Sequence, residues 1–352
     1  MDSGTTVFFV GIGGPATIGA TEALRSDPSR AWRVVGCDLD PNAGLTAAPD
    51  AFWPVPPRSA PGYVDLVLGL AEQAGTDVLY PNPTADQCIF ASQRATVESR
   101  GMALVASPVE ALEIATDKYR TLTFARDIGL AVPETILVQQ PEEVLPAARE
   151  LGYPKRSVCV KPLEGAGATG FRVFDPEADM GSVIFAAVPG SNRLTPEIYT
   201  EMVTGSPAWR PVMVSEYLPG TEREVDLLVH DGQLVTAVVR HFYGLYGGMA
   251  TECELVEDPG LVERATHLVQ QIGLQHINGV AFRENAAGEP CVLEINPRMT
   301  GSIGVAVAGG VNMPAYAIRL ALGEELGELP QPRIGTRMVR TWREVYTHGG
   351  LS

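Results

Sequence analysis

The chain has 352 residues, 45% of them hydrophobic and 19% charged, with 42 acidic residues against 26 basic ones and a formal net charge of -16. That length exceeds what one hydrophobic core usually organises and points to two or three sub-domains around a cleft. The acidic balance disfavours a nucleic-acid partner, no apolar run approaches a membrane span, and five scattered cysteines without a Cys-x-x-Cys pair argue against a disulfide framework or structural zinc.

Met1 to Thr6 is polar and lacks the basic-then-apolar layout of a secretory signal, so a cytoplasmic address is expected. Strand-like Val7 to Val10, Arg33 to Cys37 and Asp77 to Tyr80 alternate with helices from about Ile18 and around Ala85 to Arg100, the rhythm of a parallel sheet with crossover helices. Pro54 to Pro61 reads as a loop, Ala103 to Ala106 as a short strand, and Ser107-Pro108 as a helix start. Gly11-Ile12-Gly13-Gly14-Pro15-Ala16 follows the first strand and Asp38 ends the next, which fits a dinucleotide turn with its ribose acid. A nicotinamide-dependent oxidoreductase is therefore one rival reading.

A helix from Lys118 to Ile128, with Gly129 as its C-cap, leads to a strand Glu134 to Val138, a helix Glu142 to Leu151 and a strand Ser157 to Lys161. A glycine-rich turn, a strand Phe171 to Phe174 and an irregular stretch to Pro211 complete what reads as a small α+β lid. Strands Val212 to Tyr217, Glu224 to His230 and Leu234 to His241 are expected to return the chain to a larger sheet. A glycine loop at Gly244 to Gly248 and a helix Pro259 to Ile272 follow. The hairpin Gly279 to Glu284 and Cys291 to Asn296 then leads to a helix beginning at Asn312.

Val292-Leu293-Glu294-Ile295-Asn296-Pro297-Arg298 carries the most chemistry. Residues two apart on a strand share a face, so Glu294 and Asn296 point one way while Leu293 and Ile295 pack the other. A carboxylate beside an amide oxygen suits Mg²⁺, which takes a few hard oxygen ligands and leaves other positions to phosphates and water. Lys161, ending the apolar strand Val158-Cys159-Val160 before Pro162, is a lysine in a setting that usually needs an anion. Glu164-Gly165-Ala166-Gly167-Ala168-Thr169-Gly170 allows backbone N–H groups to approach phosphate, without the Gly-Lys-Ser/Thr ending of a P-loop.

Taken in order, Asp117-Lys118-Tyr119-Arg120, Lys161-Pro162, the glycine turn, Ser215-Glu216-Tyr217-Leu218-Pro219-Gly220-Thr221-Glu222 and Glu294-Ile295-Asn296-Pro297-Arg298 resemble the ATP-grasp superfamily, in particular its carbamoyl-phosphate-synthase-like branch. The resemblance runs from the N-terminal unit to about Leu326. It implies an α/β fold: a Rossmann-like domain over residues 1–112, an ATP-grasp domain over 113–326 with a lid at about 125–211, and a C-terminal extension over 327–352.

The implied function is an ADP-forming ligase that activates a carboxylate as an acyl phosphate and joins it to an amine, with ATP and Mg²⁺ as cofactors. Its partners would be small-molecule carboxylates and amines, with no nucleic acid or membrane, and a homodimer stays open. Carried over residue by residue, Lys118, Lys161, Gly165 and Gly167 would hold phosphates, Glu216 and Leu218 the adenine, and Glu222 the ribose, with Glu224 as the alternative to Glu222. Glu294 and Asn296 would hold the metal.

Arg298 and Arg240 would face the reacting oxygens as guanidinium forks, or each could be half of an ion pair. His241, Tyr243 and Gly247-Gly248 would shape an acceptor pocket. The chain departs from the family on the partnering hairpin strand: Val280-Ala281-Phe282 stands where a further metal-binding acid or Gln is usual, leaving Glu284 or a water to substitute, or one metal site weaker. A non-catalytic ATP-binding protein is the second rival reading.

Overall fold

The computed structural model describes residues 4–165, 168–179, 181, 192–342 and 344–346. Three sheets organise them. The first is fully parallel, in the order β3-β2-β1-β4-β5, from β1 Thr5–Val10, β2 Trp32–Asp38, β3 Ala51–Pro54, β4 Val78–Pro81 and β5 Ala103–Leu104. Its strands are continuous apolar runs because helices cover both faces. Alternation along β1 sends Phe8 and Val10 into one core and Val7 and Phe9 into another.

The second sheet, in the order β6-β10-β7-β8-β9, joins β6 Thr135–Val138, β7 Val158–Pro162, β8 Arg172–Phe174, β9 Arg193–Leu194 and β10 Val212–Glu216. Helices Val144–Glu150 and Pro196–Val203 pack on the face that carries Val158, Val160 and Val214. Period two then turns Lys161 to the opposite, open face. The segment from Val212 belongs here and not to the larger sheet, because Val212 to Ser215 pair antiparallel with β6 and β7 at once.

The third sheet runs β15-β14-β11-β12-β13-β16, through β11 Glu222–His230, β12 Gln233–Tyr246, β13 Met249–Val256, β14 His276–Glu284, β15 Pro290–Asn296 and β16 Arg337–Val339. Helix Pro259–Ile272 lies on β11 and β12. Asp258 caps its start by accepting from the Leu261 amide, Gly273 at φ 85° ends it, and it buries Leu261, Ala265, Leu268 and Val269. Each large side chain among these contributes about 1.5–3 kcal/mol. Asn312 accepts from the Ala315 amide and starts helix Met313–Ala321, as its position predicts.

Local boundaries differ where propensity and packing compete. The first helix is Pro15–Arg25, beginning at its proline, and the stretch 84–99 is two helices, Thr84–Ser92 and Arg94–Ser99, broken at Gln93. The residues beyond 326 add the edge strand β16 alongside β13. No described helix is long and apolar enough to cross a membrane.

Candidate functional site

Two cavities meet over the third sheet. One, of about 740 Å³, lies between it and the second sheet and is lined by Lys118, Lys161, Gly165, Tyr217, Glu222, Arg283 and Glu294, among others. The other, of about 1000 Å³, lies between it and the first sheet and is lined by Asn82, Thr84, Asn296, Arg298, Thr300 and Ser302 together with Lys118, Glu222, Glu224 and Glu294. Lys118, Gly165, Glu222 and Glu294 belong to both walls, so the two spaces join at one charged seam.

Lys118 starts helix Lys118–Asp127, held there by Asp117, whose side chain accepts from the Arg120 amide. Its Nζ donates to the Gly165 carbonyl at 2.6 Å and lies 3.3 Å from Glu294 Oε2. Lys161 sits under the Phe171 ring, 5.6 Å from its centroid, and among the described residues no carboxylate comes within ion-pair distance of its ammonium. An ammonium facing an open cavity without a counter-ion is an anion site in search of its anion. Gly165 at φ 112° borders the same space, while Gly167 lies outside the described residues.

Glu294 and Asn296 emerge on one face of β15 as their spacing predicts. Across the sheet, Arg240 of β12, Glu224 of β11, Ala281 of β14 and Glu294 stand in one register row. The methyl of Ala281 thus leaves Glu224, not Glu284, as the carboxylate nearest the family's usual acid position. Glu284 ends the same strand three residues on and is ion-paired with Arg223. Asn296 Nδ2 donates to Glu224 Oε1 at 3.2 Å, and Asn296 Oδ1 accepts from Arg298 Nη2 at 3.1 Å. Arg298 also donates to the Thr84 hydroxyl at 3.3 Å and the Met299 carbonyl at 2.8 Å, which ties the third sheet to the first. Burial pulls its guanidinium below the ordinary value, against the attraction of Glu224 and Glu294.

Arg240 is a correction to the sequence reading. It is fully buried in mid-strand, lines neither cavity, and lies 2.9 Å from Glu224 Oε2 and 2.7 Å from Asp226 Oδ2. It donates further to Thr300 at 2.7 Å and to Ser302. Of the two roles open to it, the structure gives the ion pair. Burial raises the Glu224 carboxyl well above the usual carboxylate range, with the charges of Asp226 and Glu294 adding and Arg240 opposing. Glu222 is likewise raised by burial, with Arg283 3.6 Å away opposing.

Glu216 and Leu218 reach neither cavity wall. The Glu216 amide donates to the Glu134 carbonyl and its own carbonyl accepts from the Cys159 thiol, Leu218 is buried, and Tyr217 between them lines the smaller cavity. Gly247 and Gly248 line both cavities, whereas His241 and Tyr243 stack on each other at 4.5 Å and line neither. Sequence reasoning missed Arg283, which spans Glu222 and the Tyr217 ring, and the Asn82-Pro83-Thr84 corner. Both had a signal: the first is the β14 register neighbour of Glu222, and the second follows a parallel strand's carboxyl end, where such sheets place ligands.

The glycine turn after β1 is closed by its own sheet. Asp38 Oδ2 accepts the Gly13 N–H at 2.8 Å, a Cβ at Gly13 would lie 2.6 Å from that of Ala43, and the adjoining cavity is walled by Asp38, Asp40 and Asp86. With the Gly13 N–H taken by Asp38 and the adjoining wall acidic, the turn gives the nicotinamide reading no support.

A family model described as "ATP-grasp in the biosynthetic pathway with Ter operon" matches residues 208–343. The carbamoyl phosphate synthase large chain of Thermomicrobium roseum is 26% identical over 245 residues, covering 66% of this chain and 21% of that protein. The chain therefore spans about a fifth of the curated relatives it matches. Among solved structures, an ADP complex of N5-carboxyaminoimidazole ribonucleotide synthetase superposes with a TM-score of 0.70 at 18% identity, over 93% of this chain and 79% of that one. The biotin carboxylase domain of Hydrogenobacter thermophilus 2-oxoglutarate carboxylase, solved with MgADP and bicarbonate, gives 0.68 at 17%, over 95% and 73%. The chain thus adopts the ATP-grasp fold, and its residues 208–343 match an ATP-grasp family model.

Proposed function

We propose that the chain is an ATP-dependent, ADP-forming ligase that activates a small carboxylate as an acyl phosphate and joins it to an amine. The observation that carries this reading is the seam of Lys118, Lys161 and Glu294, where an ammonium with no carboxylate partner among the described residues and a cation–carboxylate pair face one open space. Triphosphate oxygens are the natural counter-ions for Lys161, and they would compete for Lys118 with its contacts to Glu294 and the Gly165 carbonyl. Glu222, which shares Arg283 with the Tyr217 ring, would take the ribose hydroxyls.

Mg²⁺ fits the donor set in a limited way. Glu294 offers a carboxylate and Asn296 an amide oxygen on the same strand face, all hard oxygen, and no described cluster of three or more His, Cys, Asp or Glu surrounds them. Two protein ligands, with phosphate and water for the rest, are what this cation commonly accepts, and when bound it would supply charge neutralisation between the phosphates. The chain's own part is then positional. Lys161 and Lys118 hold the phosphates, and Arg298, anchored by Thr84 and Asn296, offsets charge on the carboxylate as its oxygen attacks the γ-phosphorus. The second sheet shields the acyl phosphate from water until the amine displaces phosphate.

The test is ADP release measured across pairs of small carboxylates and amines. Release that requires both partners and yields amide in equal amount supports the ligase; nucleotide binding without turnover for every pair favours the non-catalytic alternative.

A further inference from the structure

Helix Thr84–Ser92 buries polar side chains and turns apolar ones outward. Asp86, Gln87, Phe90 and Ala91 form its buried face. Asp86 accepts from the Tyr63 hydroxyl at 3.0 Å, and Gln87 donates to the carbonyls of Pro81 and Val105, so the polar pair is satisfied inside. At about 100° per residue, Thr84, Ala85, Cys88 and Ile89 fall on the opposite side, and all of them line the larger cavity. Cys88 and Ile89 are only half-buried, as are Phe242 and Met249, which line the same cavity from the third sheet. A surface helix ordinarily shows its polar side. Apolar side chains left uncovered on a cavity wall mark where the apolar surface of a ligand goes.

Charge is available to a ligand at one end of this face. Among the described residues, Arg58, Lys118 and Arg298 are the cations that line the cavity. Arg58 is ion-paired with Asp86 at 3.2 Å and Lys118 with Glu294 at 3.3 Å. Arg298 gives one N–H from each nitrogen to Thr84, Met299 and Asn296, which leaves two of its five for a ligand. Thr84 is the first residue of the helix, so the face of Ala85, Cys88 and Ile89 begins beside that guanidinium and runs about one turn, roughly 5–6 Å, away from it. Burial pushes the Cys88 thiol up, and Glu164, on the same cavity wall, adds to the rise. A second carboxylate in this space would find both other cations already paired and Glu164 near the far end of the face.

We propose that the acid this chain activates is a monocarboxylate with an apolar body, its carboxylate on Arg298 and a short alkyl chain or one aromatic ring along Ala85, Cys88 and Ile89. One charge followed by apolar surface matches the guanidinium and the helix face in that order. The assignment rests on the reading of the chain as a carboxylate-activating ligase.

The experiment uses the full chain with ATP, Mg²⁺ and hydroxylamine as nucleophile, and reads ADP release. Hexanoate and 3-phenylpropanoate have the apolar body, adipate and 6-aminohexanoate end a chain of the same length in a charge, and propanoate lacks the body. At least one of the first two should exceed the other three at least about tenfold in kcat/KM, since each buried methylene contributes about fourfold. Ile89→Lys sets a cation at the far end of the face. Its kcat/KM for adipate should rise at least about tenfold and that for hexanoate should fall by a similar factor, a gain that misfolding cannot produce. Ile89→Leu keeps the apolar surface and should keep the wild-type order of acids.

Binding of hexanoate and 3-phenylpropanoate is followed by calorimetry as well, without nucleotide. Binding that Ile89→Lys abolishes, with no ADP release for any acid, would keep the pocket and overturn the ligase reading. ADP release that favours adipate, 6-aminohexanoate or propanoate, or an order of acids that Ile89→Lys leaves unchanged, would overturn the pocket and keep the ligase reading. A preference for apolar amines over hydroxylamine, with none among the acids, would give the face to the nucleophile and likewise overturn the assignment. Neither binding nor ADP release with hexanoate and 3-phenylpropanoate would overturn it too.

Discussion

Two charged clusters occupy opposite ends of one register row, and they behave differently. At the β12 end, Arg240 is sealed between Glu224 and Asp226, with every contact made inside the protein. At the β15 end, Lys118 touches Glu294 with side chains 15% and 31% exposed, beside a cavity that also reaches Lys161, which has no carboxylate partner among the described residues. The same residue types therefore do two jobs: the sealed cluster holds the sheet together, and the open one is left able to exchange partners. Burial, not composition, separates structure from chemistry here.

The sharpest way to break this contrast is at the sealed end. Arg240→Met leaves two buried carboxylates without their cation and should cost about 3–5 kcal/mol of stability, read from urea unfolding; a loss below about 1 kcal/mol would show that the cluster is not structural. Glu294→Gln should do the reverse. Turnover should fall by about 10²–10³-fold, as for loss of a group that positions transition-state charge, while the urea midpoint stays within a few tenths molar. Normal ADP release by this variant contradicts the role given to Glu294.

Lys161→Met sharpens the open end further. Losing a charge-assisted contact of about 1.5–3 kcal/mol should weaken ATP binding about tenfold to a hundredfold, measurable by calorimetry, and unchanged affinity would return Lys161 to a mere surface role. The last prediction concerns pH and the half-buried His276. Burial, reinforced by Arg94 and His230, holds His276 down to about 3 from an ordinary 6.5. The unfolded chain takes up a proton near pH 6.5 and the folded one does not, so stability is complete above 6.5 and declines as pH falls toward 3, by up to about 1.4 kcal/mol per pH unit. His276→Asn, which suits the local φ of 58°, should flatten that decline; an identical pH profile would locate the acid sensitivity elsewhere.

The contrast also marks what the sequence alone could convey. Glu294 and Asn296 were legible because period two is local, and helix Pro259–Ile272 because Asp258 and Gly273 punctuate it. Arg240 was not, since its partners come from the neighbouring strand and from Thr300 and Ser302 beyond β15, and only pairing reveals them. Register likewise decided that Glu224, and not Glu284, stands beside Ala281, past an irregularity between Ala281 and Phe282. The membership of β10 in the second sheet depended on the same long-range pairing. The turn after β1 misled because its glycines are local, whereas the Asp38 carboxylate that fills it arrives from the next strand.

The most direct measurement follows oxygen. With a substrate carboxylate labelled with ¹⁸O and ATP unlabelled, attack of the carboxylate on the γ-phosphorus carries one labelled oxygen into the inorganic phosphate released with the amide. Mass spectrometry should find one ¹⁸O per phosphate, with labelled phosphate formed about 10²–10³-fold more slowly by Glu294→Gln. Phosphate released at the normal rate without label would contradict carboxylate activation at this seam.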